Sequence, residues 1–105
     1  MTKIEKGSGN VYADLGLPDA EEMLVKAQLA TKIGEIIKTR RWTQQHAASV
    51  LGMTQPKLSN LLRGQFRGIS EDRMMKCLAR LGRNVQIVIR PARRAIGHVS
   101  VVFAA

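Results

Sequence analysis

The sequence has few aromatic residues, a single cysteine and no long apolar run, and each shortage excludes a class of protein. The four aromatic side chains are dispersed, which argues against the base-stacking surfaces of proteins that bind RNA or single-stranded DNA. Cys77 alone cannot form an internal disulfide or a cysteine-based zinc site. A membrane span needs about eighteen apolar residues in a row, and a signal peptide needs an apolar stretch that residues 1–10 lack. We therefore expect a cytoplasmic protein.

Acidic residues are also scarce, and the charge is distributed unevenly along the chain. The 105 residues include 17 Lys and Arg but only 8 Asp and Glu, for a net charge of +9. Residues 1–37 carry a net charge of −2, whereas residues 38–105 carry +11. So basic a surface attracts polyanions, chiefly nucleic acid and secondarily anionic membrane. The simpler alternative is a basic protein whose charge serves only solubility.

The length and the apolar content of 45% predict one domain with a modest core. We divide the chain into an N-terminal arm (1–17), a helical domain (18–83) and a C-terminal β segment (84–105). Apolar residues spaced by three and four, together with capping and stop residues, predict the helices. The predicted helices run from Pro18 to Thr39 or Arg40, from Gln44 to Leu51, from Gln55 to about Arg63, and from Ser70 to Gly82.

The two short central helices have the physical requirements of a helix-turn-helix. Thr43 and Thr54 are suited to cap the helices, and Gly52 can adopt the positive φ of the turn between them. In the second of these helices, the residues that face away from the core are polar. A helix of this kind fits the major groove of B-DNA with its N-terminal residues at the base edges.

The C-terminal residues change from a helical to an alternating period. Two alternating stretches separated by seven residues predict a β hairpin. Because an isolated hairpin is marginal in water, we expect it to pair across a two-fold axis and form a homodimer. Packing of the hairpin on its own helices is the alternative. The predicted dimerisation residues are Val85, Ile87, Ile89, Val99, Val101 and Phe103.

Residues 44–63 resemble the helix-turn-helix of the lambda-repressor-like (XRE) family, with Ala48, Gly52, Leu58 and Leu61 at that family's spacing. The wider pattern over residues 9–18, 43–45 and 81–87 is similar to a branch of HigA-type antitoxins and related small regulators. The resemblance implies a mainly α fold, a lambda-repressor-like bundle of four to five helices. To this we add the C-terminal β hairpin.

The resemblance also implies roles for individual residues. Gln44 is expected to bind a phosphate and brace the recognition helix. Amides in that helix would read adenine, a lysine would read guanine, and Pro56 would contact a thymine methyl. The DNA-binding set comprises Gln44, Thr54, Gln55, Pro56, Lys57, Ser59, Asn60 and Arg63. Arg40, Arg41 and Arg67 flank the motif, and from their charge and position we expect them to contact the DNA backbone; the alternative for each is a solvated surface arginine.

These observations predict a sequence-specific regulator that binds an inverted repeat in double-stranded DNA, represses its own operon and serves as a HigA-like antitoxin. A small basic toxin would then be its protein partner. A stand-alone phage-like or operon repressor without a toxin is one alternative, and a non-specific nucleic-acid binder is another. The sequence shows no convincing catalytic arrangement or metal cluster, so we predict neither enzyme activity nor a cofactor.

Overall fold

The computed structural model of the protein describes residues 15–16 and 19–104. Over this part of the chain it has four helices: α1 (Ala20–Thr39), α2 (Gln44–Leu51), α3 (Gln55–Leu62) and α4 (Glu71–Arg80). The mainly α prediction is confirmed, and each predicted helix lies within two residues of an observed one. The predicted arm lies outside the described residues apart from Leu15 and Gly16, and so does Pro18.

Helix α1 is long because its apolar residues recur at three- and four-residue spacing over twenty positions. It packs against α3 and α4, and α2 packs against the same two helices. The largest of the fully buried side chains come from all four helices and from the residue after α4. They are Ile33, Leu51, Leu58, Leu61, Met74, Cys77 and Leu81.

This core orients α3, because Leu58 and Leu61 on its inner side are almost completely buried. Replacing such a leucine by alanine costs about 2–5 kcal/mol, since a cavity remains where the side chain was. Cys77 also lies in the core, as the sequence predicts. Burial raises the pKa of its thiol, and the positive charge of Arg73 opposes that rise only in part. None of the described helices is long and apolar enough to cross a membrane.

The predicted C-terminal β hairpin is wrong for this structure. From residue 83 to residue 104 the chain forms neither helix nor strand. An alternating sequence becomes a strand only where a second strand satisfies its backbone, and two strands alone are marginal in water. Ile87 and Ile89, predicted to be buried in an interface, are 77% and 91% exposed, and Val85 and Val99 are also exposed.

The end of this segment returns to α1 instead of pairing with another strand. Val101 is half-buried and packs against the helical core. The Nζ atom of Lys32 lies 5.0 Å from the centroid of the Phe103 ring. The backbone N–H of Val99 donates a hydrogen bond to the carboxylate of Glu21. Of the residues predicted for the dimer, Val101 therefore packs on the protein's own helices, whereas Val99 and Phe103 stay exposed.

Candidate nucleic-acid interface

Helices α2 and α3 meet at a tight turn whose capping groups are those the sequence predicts. The Thr43 Oγ1 atom accepts a hydrogen bond from the backbone N–H of His46 at 3.1 Å. Thr54 Oγ1 accepts one from the N–H of Lys57 at 3.3 Å. Gly52 ends α2 with a φ of 70°, a conformation that other residues adopt only with strain. The caps and the glycine fix the angle at which α3 leaves the turn.

Helix α3 presents polar side chains on the side that does not face the core. This surface lies at the start of the helix, where a recognition helix contacts base edges in the major groove. Thr54 precedes the helix and is exposed, and Gln44 is exposed at the first position of α2. On α3, Gln55, Pro56 and Lys57 are exposed, while Ser59 and Asn60 are half-buried.

Two of the predicted DNA-binding residues are brought into direct contact. The guanidinium Nη2 atom of Arg63 donates a hydrogen bond to Asn60 Oδ1 at 2.6 Å. Arg63 is exposed and follows the last residue of α3, three positions after Asn60. A spacing of three places two helical side chains on the same face, so the pair forms one continuous polar surface.

The arginines predicted to contact the DNA backbone differ in whether other groups of the protein already bind their guanidinium groups. Arg40 donates from Nη2 to the backbone carbonyl of Leu81 at 2.6 Å, and its guanidinium carbon lies 5.1 Å from the Trp42 ring centroid. It therefore also caps the end of α4. Arg41 is exposed and adopts a positive φ of 58° in the turn between α1 and α2.

Arg67 differs from both because an acidic residue neutralises it. Its guanidinium forms an ion pair with Asp19, just before α1. The backbone carbonyl of Arg67 accepts a hydrogen bond from Lys26 Nζ at 3.0 Å, and Lys26 also pairs with Glu22 at 3.2 Å. These bonds tie the loop after α3 to α1. Contact of Arg67 with a phosphate would compete with Asp19.

The comparison with known proteins agrees with this geometry. The family described as "Helix-turn-helix domain" matches residues 11–90. A solved structure described as an XRE family transcriptional regulator has a TM-score of 0.75 and 43% sequence identity to this chain, covering 83% of this chain and 100% of its own. The chain belongs to the XRE-like helix-turn-helix family. No curated protein matches the sequence at a significant level. The XRE-like resemblance is confirmed, and the HigA branch stays a prediction.

In this XRE-like protein, two arginines of α4 contact the central turn, which the sequence analysis did not predict. Arg73 Nη2 donates to the backbone carbonyl of Gly52 at 2.6 Å. Arg80 Nη1 donates to the carbonyl of Val50 at 3.2 Å. Carbonyls at a helix C-terminus carry partial negative charge and lack partners within the helix. Arg73 and Arg80 therefore stabilise the end of α2 and the turn that leads into α3.

The same two arginines contribute to a surface hollow beside the recognition helix. Lys57 of α3 and Lys76 of α4 line this hollow together with Arg73 and Arg80, and we call the four residues the basic hollow. Asp72 also lies there and pairs with Lys76 at 3.1 Å. Four cations and one local carboxylate leave a positive surface next to the polar face of α3. Such a surface attracts a phosphate backbone irrespective of base sequence.

Proposed function

We propose that this XRE-like protein is a sequence-specific DNA-binding transcriptional regulator that represses its own operon. The observation that carries the proposal is the outer face of α3, where amide and hydroxyl side chains stand next to the basic hollow. Phosphate contacts supply affinity, and side chains at base edges supply sequence preference. A purely charge-driven binder has no need of the amides and hydroxyls on α3.

The proposed division of labour follows from position and residue type. Gln55, Lys57, Ser59 and Asn60 would contact base edges, and Pro56 would lie near a thymine methyl. Thr54 would cap α3, and its exposed surface would approach the DNA backbone. Gln44, Arg40, Arg41 and Arg67 would contact phosphates, with Arg67 exchanging Asp19 for a phosphate oxygen.

We further propose that the protein binds DNA as a homodimer on an inverted repeat. A single helix-turn-helix reads too few base pairs to find a site in a genome, and dimers place two recognition helices roughly 34–36 Å apart. The exposed side chains of Val85, Ile87 and Ile89 form an apolar stretch that a second copy can cover. Arg90, Arg93 and Arg94 follow, which limits wider aggregation through like-charge repulsion.

Sedimentation of a doubly charged variant tests the dimer. Replacing Ile87 and Ile89 by lysine leaves the helical core untouched, because both side chains are exposed. We expect the wild type to sediment as a dimer and this variant as a monomer. Replacing Ala92 and Ala95, also exposed, by lysine adds the same charge and should leave the dimer intact. A dimer of unchanged strength in the Ile87 and Ile89 variant would assign the interface to another surface.

The antitoxin hypothesis concerns the acidic side of α1. Glu21, Glu22 and Glu35 are exposed there, and a small basic toxin is the complementary partner. Part of this surface is covered in the free chain, since Glu21 accepts from Val99 and Phe103 lies beside Lys32. Co-expression with the product of the adjacent gene tests the hypothesis. A stable complex that is weakened by Glu22→Lys and Glu35→Lys would support the hypothesis. If no complex forms, the stand-alone repressor is the remaining alternative.

DNA binding itself is tested by fluorescence anisotropy with the duplex upstream of the protein's own gene and a scrambled duplex. We expect a preference of more than about a hundredfold for the native duplex, in line with specific regulators. Asn60→Ala should remove most of that preference. Asn84→Ala is the matched control, because Asn84 is exposed outside the motif. Equal affinity for both duplexes with a steep salt dependence would indicate a non-specific binder instead.

A further inference from the structure

The hydrogen bond between Arg63 and Asn60 determines which atoms of Asn60 remain available to DNA. A guanidinium has only N–H donors, so the Asn60 atom 2.6 Å from Arg63 Nη2 must be the amide oxygen. The Nδ2 amide nitrogen is then the end of the side chain that is left to contact a base. With the other N–H groups of Arg63, it presents a surface that consists of donors.

An asparagine that is free of such a partner selects adenine. It donates from Nδ2 to the N7 acceptor of adenine and accepts from the exocyclic N6 amine with Oδ1. In this protein Oδ1 already accepts from Arg63. The oxygen has a second lone pair, but an adenine amine placed there would face the N–H groups and the positive charge of the guanidinium. The pairing with Arg63 therefore removes the advantage of adenine.

Guanine has the complementary pattern, because its O6 and N7 atoms on the major-groove edge are both acceptors. Asn60 Nδ2 and a free N–H of Arg63 are both donors and stand next to each other at the end of α3. We infer that Asn60 and Arg63 act as one unit that reads guanine, in place of the adenine that asparagine alone would select. This inference rests on the proposed function, namely that the outer face of α3 contacts base pairs.

The inference changes the role of Arg63. As an arginine beyond the end of a recognition helix, it would ordinarily supply charge to a phosphate. Here it also sets the orientation of the Asn60 amide, so that its removal changes a base preference rather than only an affinity. Arg83 provides the comparison, because it is an exposed arginine outside the helix-turn-helix, beyond the end of α4.

The test is selection from a pool of random-sequence DNA duplexes, performed for wild type and for Asn60→Ala, Arg63→Met and Arg83→Met. A salt concentration of about 50 mM keeps variants with one charge fewer bound. The position that becomes degenerate in Asn60→Ala is the base pair that Asn60 contacts. Four duplexes that differ only at this base pair then give relative affinities by anisotropy, and circular dichroism checks that each variant is folded.

We expect the wild type to prefer guanine over adenine at this base pair by about tenfold, within the range of one specific contact. Arg63→Met should abolish that preference or reverse it towards adenine, and Arg83→Met should leave it unchanged. Adenine preferred by the wild type, guanine still preferred by Arg63→Met, or no base pair affected by Asn60→Ala would each overturn the inference. A wild-type pool that enriches no sequence would overturn the proposed function itself.

Discussion

The turns on either side of α2 each place one residue in the left-handed region, and the chain uses very different residues for them. The turn between α2 and α3 has Gly52, with a φ of 70°. The turn between α1 and α2 has Arg41, with a φ of 58°. A side chain in this region costs roughly 1–2 kcal/mol, and glycine avoids that cost. The surroundings of the two residues explain the difference.

Gly52 lies against another side chain. A Cβ atom added there would come within 3.2 Å of the Arg80 Nη1 atom and 3.4 Å of its guanidinium carbon. Arg73 also bonds the Gly52 carbonyl, so two arginines of α4 occupy the space around this turn. In the first turn the left-handed residue has a side chain, and that of Arg41 is exposed. A side chain fits there, and the strain is accompanied by a positive charge close to α2.

The largest effect should come from filling the space at Gly52. Gly52→Ala combines left-handed strain with displacement of Arg80, and we expect a loss of about 2 kcal/mol in the free energy of unfolding. Urea denaturation measures it. In a double-mutant cycle with Arg80→Ala, the part of the loss that comes from the contact should disappear. If the two changes are additive, the turn glycine serves only backbone conformation, and Arg80 does not contribute to the difference between the turns.

A smaller loss is expected when the turn keeps its glycine but loses its partner in α4. Arg73→Met removes the bond to the Gly52 carbonyl, and we expect a cost of about 1 kcal/mol for this partly exposed bond to a charged group. Lys76→Met is the matched control, since it removes the same charge from an exposed ion pair worth less than about 1 kcal/mol.

Measurements of DNA affinity distinguish two roles for Arg73, namely positioning the turn before α3 and contacting a DNA phosphate directly. If Arg73 acts through the turn, Arg73→Met lowers the preference for the native duplex over a scrambled one, and the salt dependence stays that of the wild type. If Arg73 contacts a phosphate, the slope of log affinity against log salt becomes about 0.9 less negative than in the wild type, and the preference for the native duplex stays.

The sequence was sufficient for those features that depend on neighbouring residues. Helix periodicity and the caps Thr43 and Thr54 are local, and so is the stop at Gly52, which is why the helix bounds agree closely with the structure. The outer face of α3 follows from the burial of its leucines. The same residues carried the family resemblance, so fold and family could be predicted together.

Features that depend on distant parts of the chain could not be predicted in this way. Arg73 and Arg80 reach carbonyls 21 and 30 positions earlier, and no local pattern marks such a bond. The alternation in residues 85–103 indicated strands, but period alone does not supply a second strand. Val101 instead packs against the helical core. Arg41 was assigned to phosphate binding from its charge. Its positive φ could not be predicted, because glycine is the residue type that usually indicates a left-handed conformation.

Substitutions of Arg41 should change the free energy of unfolding least, but they distinguish best between the two turns. Arg41→Gly relieves the left-handed strain, while glycine's greater freedom in the unfolded chain offsets part of the gain. We therefore expect a gain of about 0.5–1 kcal/mol in the free energy of unfolding, measured by urea denaturation. Arg41→Ala removes the same charge but keeps a Cβ at positive φ, so it should bring no gain.

Both variants should weaken DNA binding equally if Arg41 contacts a phosphate, with the slope of log affinity against log salt becoming about 0.9 less negative for each phosphate that is no longer neutralised. Arg41→Gly would then be the more stable protein and the weaker binder, since the strain at this turn accompanies a charge that glycine cannot supply. If Arg41→Gly gains stability and binds DNA with an unchanged slope, the charge of Arg41 has no role at the interface. The two turns would then differ only in the space around them.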